Sequence, residues 1–241
     1  MHDIVYILKK KIDSDELRYS LRSVVKNFPY RDIWFYGGCP TDICPDRYVP
    51  VEQVGNTTWE KVRNTLEFVC QNDEITEDFW LFNDDFFVIK RFPTGGIFET
   101  HAIINGTIDH QAKRIQMRNG GPSKYTEQIK KTASTLRSKG YDSLNYAVHT
   151  PMLINRKKGL ETIRIFSNIP MFRSLYGNMW QIPAVLRRDV KLVDNSSTPN
   201  DDWIFLSTSD GFFRTGYVGE YIRNLFPEKC KYESARNLQG I

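Results

Sequence analysis

The chain has 241 residues, of which 40% are hydrophobic, 13% aromatic and 26% charged. This ordinary globular usage excludes a disordered, collagenous or coiled-coil chain, and a chain of this length buries about 73% of the surface its unfolded form exposes, so it needs no disulfide or metal staple to fold. The formal net charge of +4 is too mild to name a nucleic-acid binder. No apolar run approaches the roughly 20 residues of a membrane helix, and Met1 leads almost directly into a strand-like segment, so no signal peptide is expected.

Residues 3–9 predict a buried strand. Asp13 and Glu16 follow as a capping-box-like start, and Leu17, Leu21, Val24, Val25 and Phe28 form an apolar stripe at helical spacing that Pro29 ends. Residues 32–36 predict a second strand, closed by Gly37 and Gly38, and 47–51 a short third. Thr57 and Glu60 make another capping box, with Trp59, Val62, Leu66, Val69 and Cys70 along one face of the next helix. Residues 78–82 predict a strand running into Asn83, Asp84 and Asp85, and 86–90 continue extended. This alternation is the rhythm of an α/β fold: a mostly parallel sheet with helices packed on it.

The second half is less regular. Ser123 caps a helix predicted to run to Ser138, where Gly140 stops it. Residues 145–154 predict a strand interrupted by Pro151, 159–166 a helix, 194–202 a polar loop and 204–207 a late strand. Residues 217–226 predict a helix with Val218, Tyr221, Ile222 and Leu225 inward. No repeat, low-complexity tract or linker appears, so one domain with an elaborated second half is expected.

The charge is unevenly spread. Residues 110–139 hold Lys113, Arg114, Arg118, Lys124, Lys130, Lys131, Arg137 and Lys139 against one acid, Glu127, which leaves the remainder slightly acidic. The stretch reads either as a face that meets an anion or as a solvated lysine-rich helix. Cys39, Cys44, Cys70 and Cys230 form no C-x-x-C pair, and reduced thiols are expected.

Asn83-Asp84-Asp85 is the sharpest feature, set between the apolar runs Phe79–Phe82 and Phe86–Ile89. Open α/β sheets bind ligands beyond the carboxyl ends of their strands. Two carboxylates there are costly unless a charge neutralises them, and magnesium is typically held by one or two carboxylates plus substrate phosphates. A plain tight turn is the other reading. No glycine-rich phosphate cradle is present, so Arg18 and Arg22, one helical turn apart, are candidates to hold a diphosphate, or else surface partners of Asp15 or Glu16. His149, at a strand end beside Pro151, is a candidate general base or phosphate donor, or a structural histidine. Asp210, in the polar run from Ser207 to Gly211, marks a site loop or another turn.

The run Asp15-Glu16-Leu17-Arg18-Tyr19-Ser20-Leu21-Arg22-Ser23, with Asp3-Ile4-Val5-Tyr6 before it and Phe82-Asn83-Asp84-Asp85-Phe86-Phe87 after it, resembles the Stealth sugar-phosphate transferases of bacterial capsules. His149-Thr150-Pro151 and the segment from Phe172 through Arg173 to Gly177 are similar to that family's later, histidine-containing region. The chain also resembles compact phage and bacterial glycosyltransferases. Lys9-Lys10-Lys11 and the Ser-Thr-Ser-Asp-Gly run depart from the Stealth pattern where donor and acceptor should meet.

The resemblance implies a GT-A-like α/β domain over 1–241, with a nucleotide-sugar-binding half (1–92) and an acceptor and catalytic half (93–241). It implies a nucleotide-sugar donor bound near Tyr6, Arg18, Arg22 and Asn83, and a magnesium or manganese ion at Asp84 and Asp85. His149, Asp210 and Arg173 are the expected catalytic set. The basic residues Lys113, Arg114, Lys124, Lys130 and Lys131 would face a carbohydrate, wall-polymer or nucleic-acid acceptor. A cytoplasmic setting in a bacterial or phage-infected cell follows. Transfer of a sugar or of a sugar-1-phosphate both fit, and a non-catalytic anion-binding module is the reading from another class.

Overall fold

In the computed structural model, residues 1–10, 15–194 and 197–233 are described. Asp13, Lys11, Asn195 and Ser196, which enter the sequence expectations, lie outside them. The central sheet has five strands in the order β3-β2-β1-β4-β7. Its strands are β1 (Asp3–Leu8), β2 (Ile33–Gly37), β3 (Arg47–Val49), β4 (Asp78–Phe82) and β7 (Met152–Asn155). All neighbours are parallel except β4 and β7, which are antiparallel with Trp80 opposite Leu153.

Strand alternation divides the core in two, because successive side chains point to opposite faces. Ile4, Tyr6, Leu8, Ile33, Phe35, Trp80 and Phe82 face one cluster, and Val5, Trp34, Tyr36, Phe79 and Leu81 the other. The first face is covered by α1 (Asp15–Asn27) through Leu17, Leu21 and Val24. Phe28, just beyond α1, packs against Trp80, Phe82 and Phe92 with ring centroids 4.5–5.3 Å apart. Each such buried ring contributes about 1.5–3 kcal/mol. Val25, expected on the same stripe, is 37% exposed at the stripe's edge. The second face is covered by α2 (Thr58–Gln71), started by the Thr57–Glu60 capping box, and by α5 (Arg156–Ile165).

After β4 the chain turns and leaves the sheet as β5 (Phe86–Val88), which pairs antiparallel with β9 (Phe205–Ser207). A second small pair joins β6 (Ala102–Ile104) and β8 (Ala184–Leu186). Between them α3 (Ile108–Arg118) and α4 (Lys124–Ser138) pack together through Ile108, Ala112, Ile115, Ile129, Ala133 and Leu136. The remaining helices are α6 (Phe172–Met179), α7 (Asp210–Thr215) and α8 (Tyr217–Leu225), the last burying Val218 and Ile222.

The expected strand over 145–154 is corrected to the short β7. Upstream of it only an isolated bridge of Leu144 to Thr107 and the pairing of Asn145 with Gly106 are of strand type, and side chains take up other groups: Ser174 Oγ accepts the N–H groups of Tyr146 and Ala147, and Asn178 bonds both backbone groups of Leu144. A continuous ladder is therefore not needed there.

Candidate active site

Asn83, Asp84 and Asp85 form a tight turn at the carboxyl end of β4, closed by the Phe86 N–H donating to the Asn83 carbonyl at 3.2 Å. The turn and the strand-end site are thus the same feature. Asp85 accepts from Lys191 Nζ and from Ser207 Oγ, both at 3.1 Å. Lys191 is delivered by the segment running beside β9, where it bridges Ser207. Burial, and then the neighbouring Asp85 charge, hold the Asp84 carboxyl above its ordinary value.

A third carboxylate faces this pair. Glu16, on the first turn of α1, is only 7% exposed, and its Oε1 has no hydrogen-bond partner among the described residues. Burial, reinforced by the charges of Asp85, Asp84 and Asp210, pushes it up to about 8, with Lys191 opposing. Asp210 itself is at the start of α7, exposed, and paired with Arg214 at 2.9 Å.

Arg173 braces the same turn. Its guanidinium donates to the carbonyls of Leu81 and Val148 and to Asn83 Oδ1 at 3.1–3.3 Å, and lies over the Phe86 ring. Burial pulls it down to about 10, which leaves it a cation at neutral pH.

His149 pairs with Asp189, whose two oxygens lie 3.0 and 2.9 Å from Nδ1. A carboxylate only accepts, so Nδ1 donates, which in the neutral ring places the lone pair on Nε2. Burial would raise the Asp189 carboxyl, but the bonds and charge of His149 and two backbone N–H groups hold it below its ordinary value. The dyad opens onto a cleft of about 530 Å³, also lined by Arg114, Arg118, Arg188 and Lys191. A second, more apolar cavity of about 580 Å³ lies on the other side of Tyr125, which lines both. Asn83 and Arg173 form part of its wall, with Trp59, Leu66, Ile129 and Phe172. Asn83 thus lines the second cavity, and Asp85 is linked to the first through Lys191.

The other expected residues have different surroundings. Tyr6 is fully buried, its hydroxyl 2.9 Å from Ser20 Oγ and its ring against Phe35 and Phe82. Arg22 is committed to Glu233, at 2.6 and 2.8 Å, and to the carbonyls of Phe226 and Pro227. Arg18 pairs with Asp42 at 2.7 Å and lies 3.9 Å from Glu233. Of the basic stretch, Arg114 lines the cleft, whereas Lys113, Lys124, Lys130 and Lys131 are exposed and outside its lining.

Glu16, Asp189, Lys191 and Arg188 are the site residues that sequence reasoning did not single out. Glu16 carried one signal: Glu16, Ser20 and Ser23 are polar residues flanking the inward stripe of α1. The other three come from an irregular segment that offers no periodicity.

No family model matches the chain, and no curated protein matches it. Solved structures do. The galactosyltransferase LgtC, in complex with donor and acceptor sugar analogs, is 10% identical, with 94% of this chain and 96% of that chain covered and a TM-score of 0.52. An active-site mutant of LgtC is 13% identical, with 92% and 94% covered and a TM-score of 0.50. The fold is that of the GT-A glycosyltransferases. Among the described residues no helix is long and apolar enough to cross a membrane.

Proposed function

We propose that the chain is a divalent-cation-dependent glycosyltransferase that moves a sugar from a nucleotide-sugar donor to an acceptor hydroxyl. The observation that carries this is the placement of Asp84 and Asp85 at the end of β4 in a GT-A fold, on a turn whose Asn83 lines one cavity and whose Asp85 bonds Lys191 of the other. The donor set fits a hard cation: two carboxylates at the turn, and the buried, unpartnered Oε1 of Glu16 facing their charge. Among the described residues no three His, Cys, Asp or Glu side chains converge on one point, so the ion's remaining ligands would be diphosphate oxygens and water.

When bound, magnesium or manganese at Asp84 and Asp85 supplies positive charge to the departing diphosphate. The chain's own residues do the rest. Asn83 and Arg173 hold the donor side of the turn, and Lys191 keeps Asp85 oriented. The acceptor hydroxyl attacks the anomeric carbon from the cleft side. Its proton passes to Nε2 of His149, while the bond to the diphosphate breaks and the nucleotide leaves with the electron pair. Asp189 fixes the imidazole and stabilises its protonated form. The division into a donor half (1–92) and an acceptor half (93–241) belongs to this reading. Asp84 and Asp85 lie in the first half, and His149, Asp189 and the arginine-lined cleft in the second.

A second reading, transfer of a sugar-1-phosphate, is favoured by the Stealth-like run that forms α1 and places Glu16 opposite the acids. There the hydroxyl attacks phosphorus and a nucleoside monophosphate leaves. Incubation with a panel of nucleotide sugars and manganese, with the released nucleotide weighed, decides: a diphosphate supports sugar transfer, a monophosphate supports the second reading, and no release with any donor overturns both.

A further inference from the structure

Arg114 and Arg118 reach the cleft beside His149 from α3, and Arg188 reaches it from the segment after β8. Among the described residues no carboxylate lies within ion-pair distance of any of these arginines. Arg114 bonds only the neutral Gln111. Lys191 is paired with Asp85, and the Asp189 carboxylate, bonded to His149, is the one acidic group among the described residues of the lining. Three arginines thus line one cavity against that single carboxylate, which leaves it with an excess of positive charge. Such an arrangement attracts an anion, and the planar guanidinium fork matches phosphate oxygens two at a time. At about 530 Å³ the cleft has the size of a small-molecule site, enough for one phosphorylated sugar or polyol unit.

We propose that this cleft binds the acceptor through a phosphate group, so that the substrate is a phosphorylated sugar or polyol and not a neutral glycan. The inference rests on the transferase reading above and names its acceptor class. A small phosphomonoester and one unit of a phosphodiester polymer present the same oxygens to Arg114, Arg118 and Arg188. The position of His149 in the same cleft places the hydroxyl to be glycosylated beside that phosphate.

Calorimetric titration of the full chain tests this with four probes: glycerol 3-phosphate, an oligo(glycerol phosphate), glycerol and a single-stranded DNA oligonucleotide. Both glycerol phosphates bind, glycerol does not, and binding weakens with added salt. Arg118→Ala and Arg188→Ala, both exposed positions, each weaken it about ten-fold or more. Lys157→Ala, on the exposed side of α5 where Lys157 pairs with Glu77, leaves it unchanged. Tighter binding of the oligomer assigns the phosphate to a polymer, and tighter binding of the monoester to a free metabolite. Absence of phosphate binding, indifference to both arginine substitutions, or a preference for DNA overturns the proposal. Donor turnover is read separately. Nucleotide release without phosphate binding sinks the acceptor inference alone, and phosphate binding without release from any donor sinks the transferase reading and leaves the cleft a phosphate site without an acceptor role.

Discussion

The imidazole Nδ1 of His149 lies 3.0 and 2.9 Å from the two oxygens of Asp189, which also accepts the backbone N–H groups of His149 and Lys191. These contacts fix both the carboxylate and the ring, and in the proposed reaction Nε2 takes the acceptor proton. Asp189→Asn should lower kcat by about 100-fold or more, as should His149→Gln. The double variant should fall no further than the worse single one, because the two act as a unit. Initial rates of nucleotide release with acceptor present check this. A change confined to KM or to melting temperature would leave the dyad a structural pair.

Lys191 occupies the oxygen of Asp85 that a cation would also use. The pair is partly buried, with side-chain exposures of 26% and 16%. Lys191→Met removes the ammonium group from that oxygen and leaves it only the bond from Ser207 Oγ. Manganese binding, followed by the loss of the free-ion resonance signal, should tighten about five-fold, equivalent to about 1 kcal/mol. Asp84→Asn should act in the opposite direction. Weaker manganese binding in Lys191→Met would show that the ammonium group supports the site and does not compete for it.

The ion pair between Arg22 and Glu233 ties α1 to the segment after α8, with Arg22 8% and Glu233 1% exposed. Removing one partner strands a buried charge, so Arg22→Ala or Glu233→Ala should cost about 3–5 kcal/mol. Replacing both, as Arg22→Met with Glu233→Leu, should recover much of that. Arg18→Ala, whose partner Asp42 is half exposed, should cost under about 1 kcal/mol. Urea unfolding of the four variants gives these differences. A small loss in both single variants would mean that water reaches the pair.

The first half of the fold was legible because each element carries its own period. Ile4, Tyr6 and Leu8 alternate with Val5 and Ile7, and Leu17, Leu21 and Val24 recur at one helical turn. The Asp84–Asp85 pair was legible because it is contiguous and bounded by apolar runs. The rest depended on distance in sequence. Strands β6 and β8 have three residues each, and only their mutual pairing across about 80 positions makes them strands. Helix α3 buries only Ile108, Ala112 and Ile115 among basic and polar residues, a short stripe that the charge pattern hides. Asp189 and Lys191 lie on no periodic element, and their roles exist only because that segment passes His149 and Ser207. Glu16 read as a helix-start acid, and only the fold turns it toward Asp84, Asp85 and Asp210.

Glu16 makes the stability of the chain depend on pH in a direction unusual for a carboxylate. Burial and the charges of Asp85, Asp84 and Asp210 raise it in the folded protein from an ordinary 4.5 to about 8. Between those values the folded chain keeps a proton that the unfolded chain releases. Stability therefore falls with rising pH: its contribution is fully present below about 4.5 and is lost as pH passes through about 8. Glu16→Gln removes this dependence while keeping the shape of the side chain. Across that window the melting temperature of the unaltered protein should decline more steeply than that of Glu16→Gln, and the variant should be the more stable of the two at the alkaline end. The difference between the two melting curves reads Glu16 together with its coupling to the neighbouring acids. Parallel declines would mean that its carboxyl is ionised in the fold at neutral pH, matched by a positive charge that reaches the acids from solution.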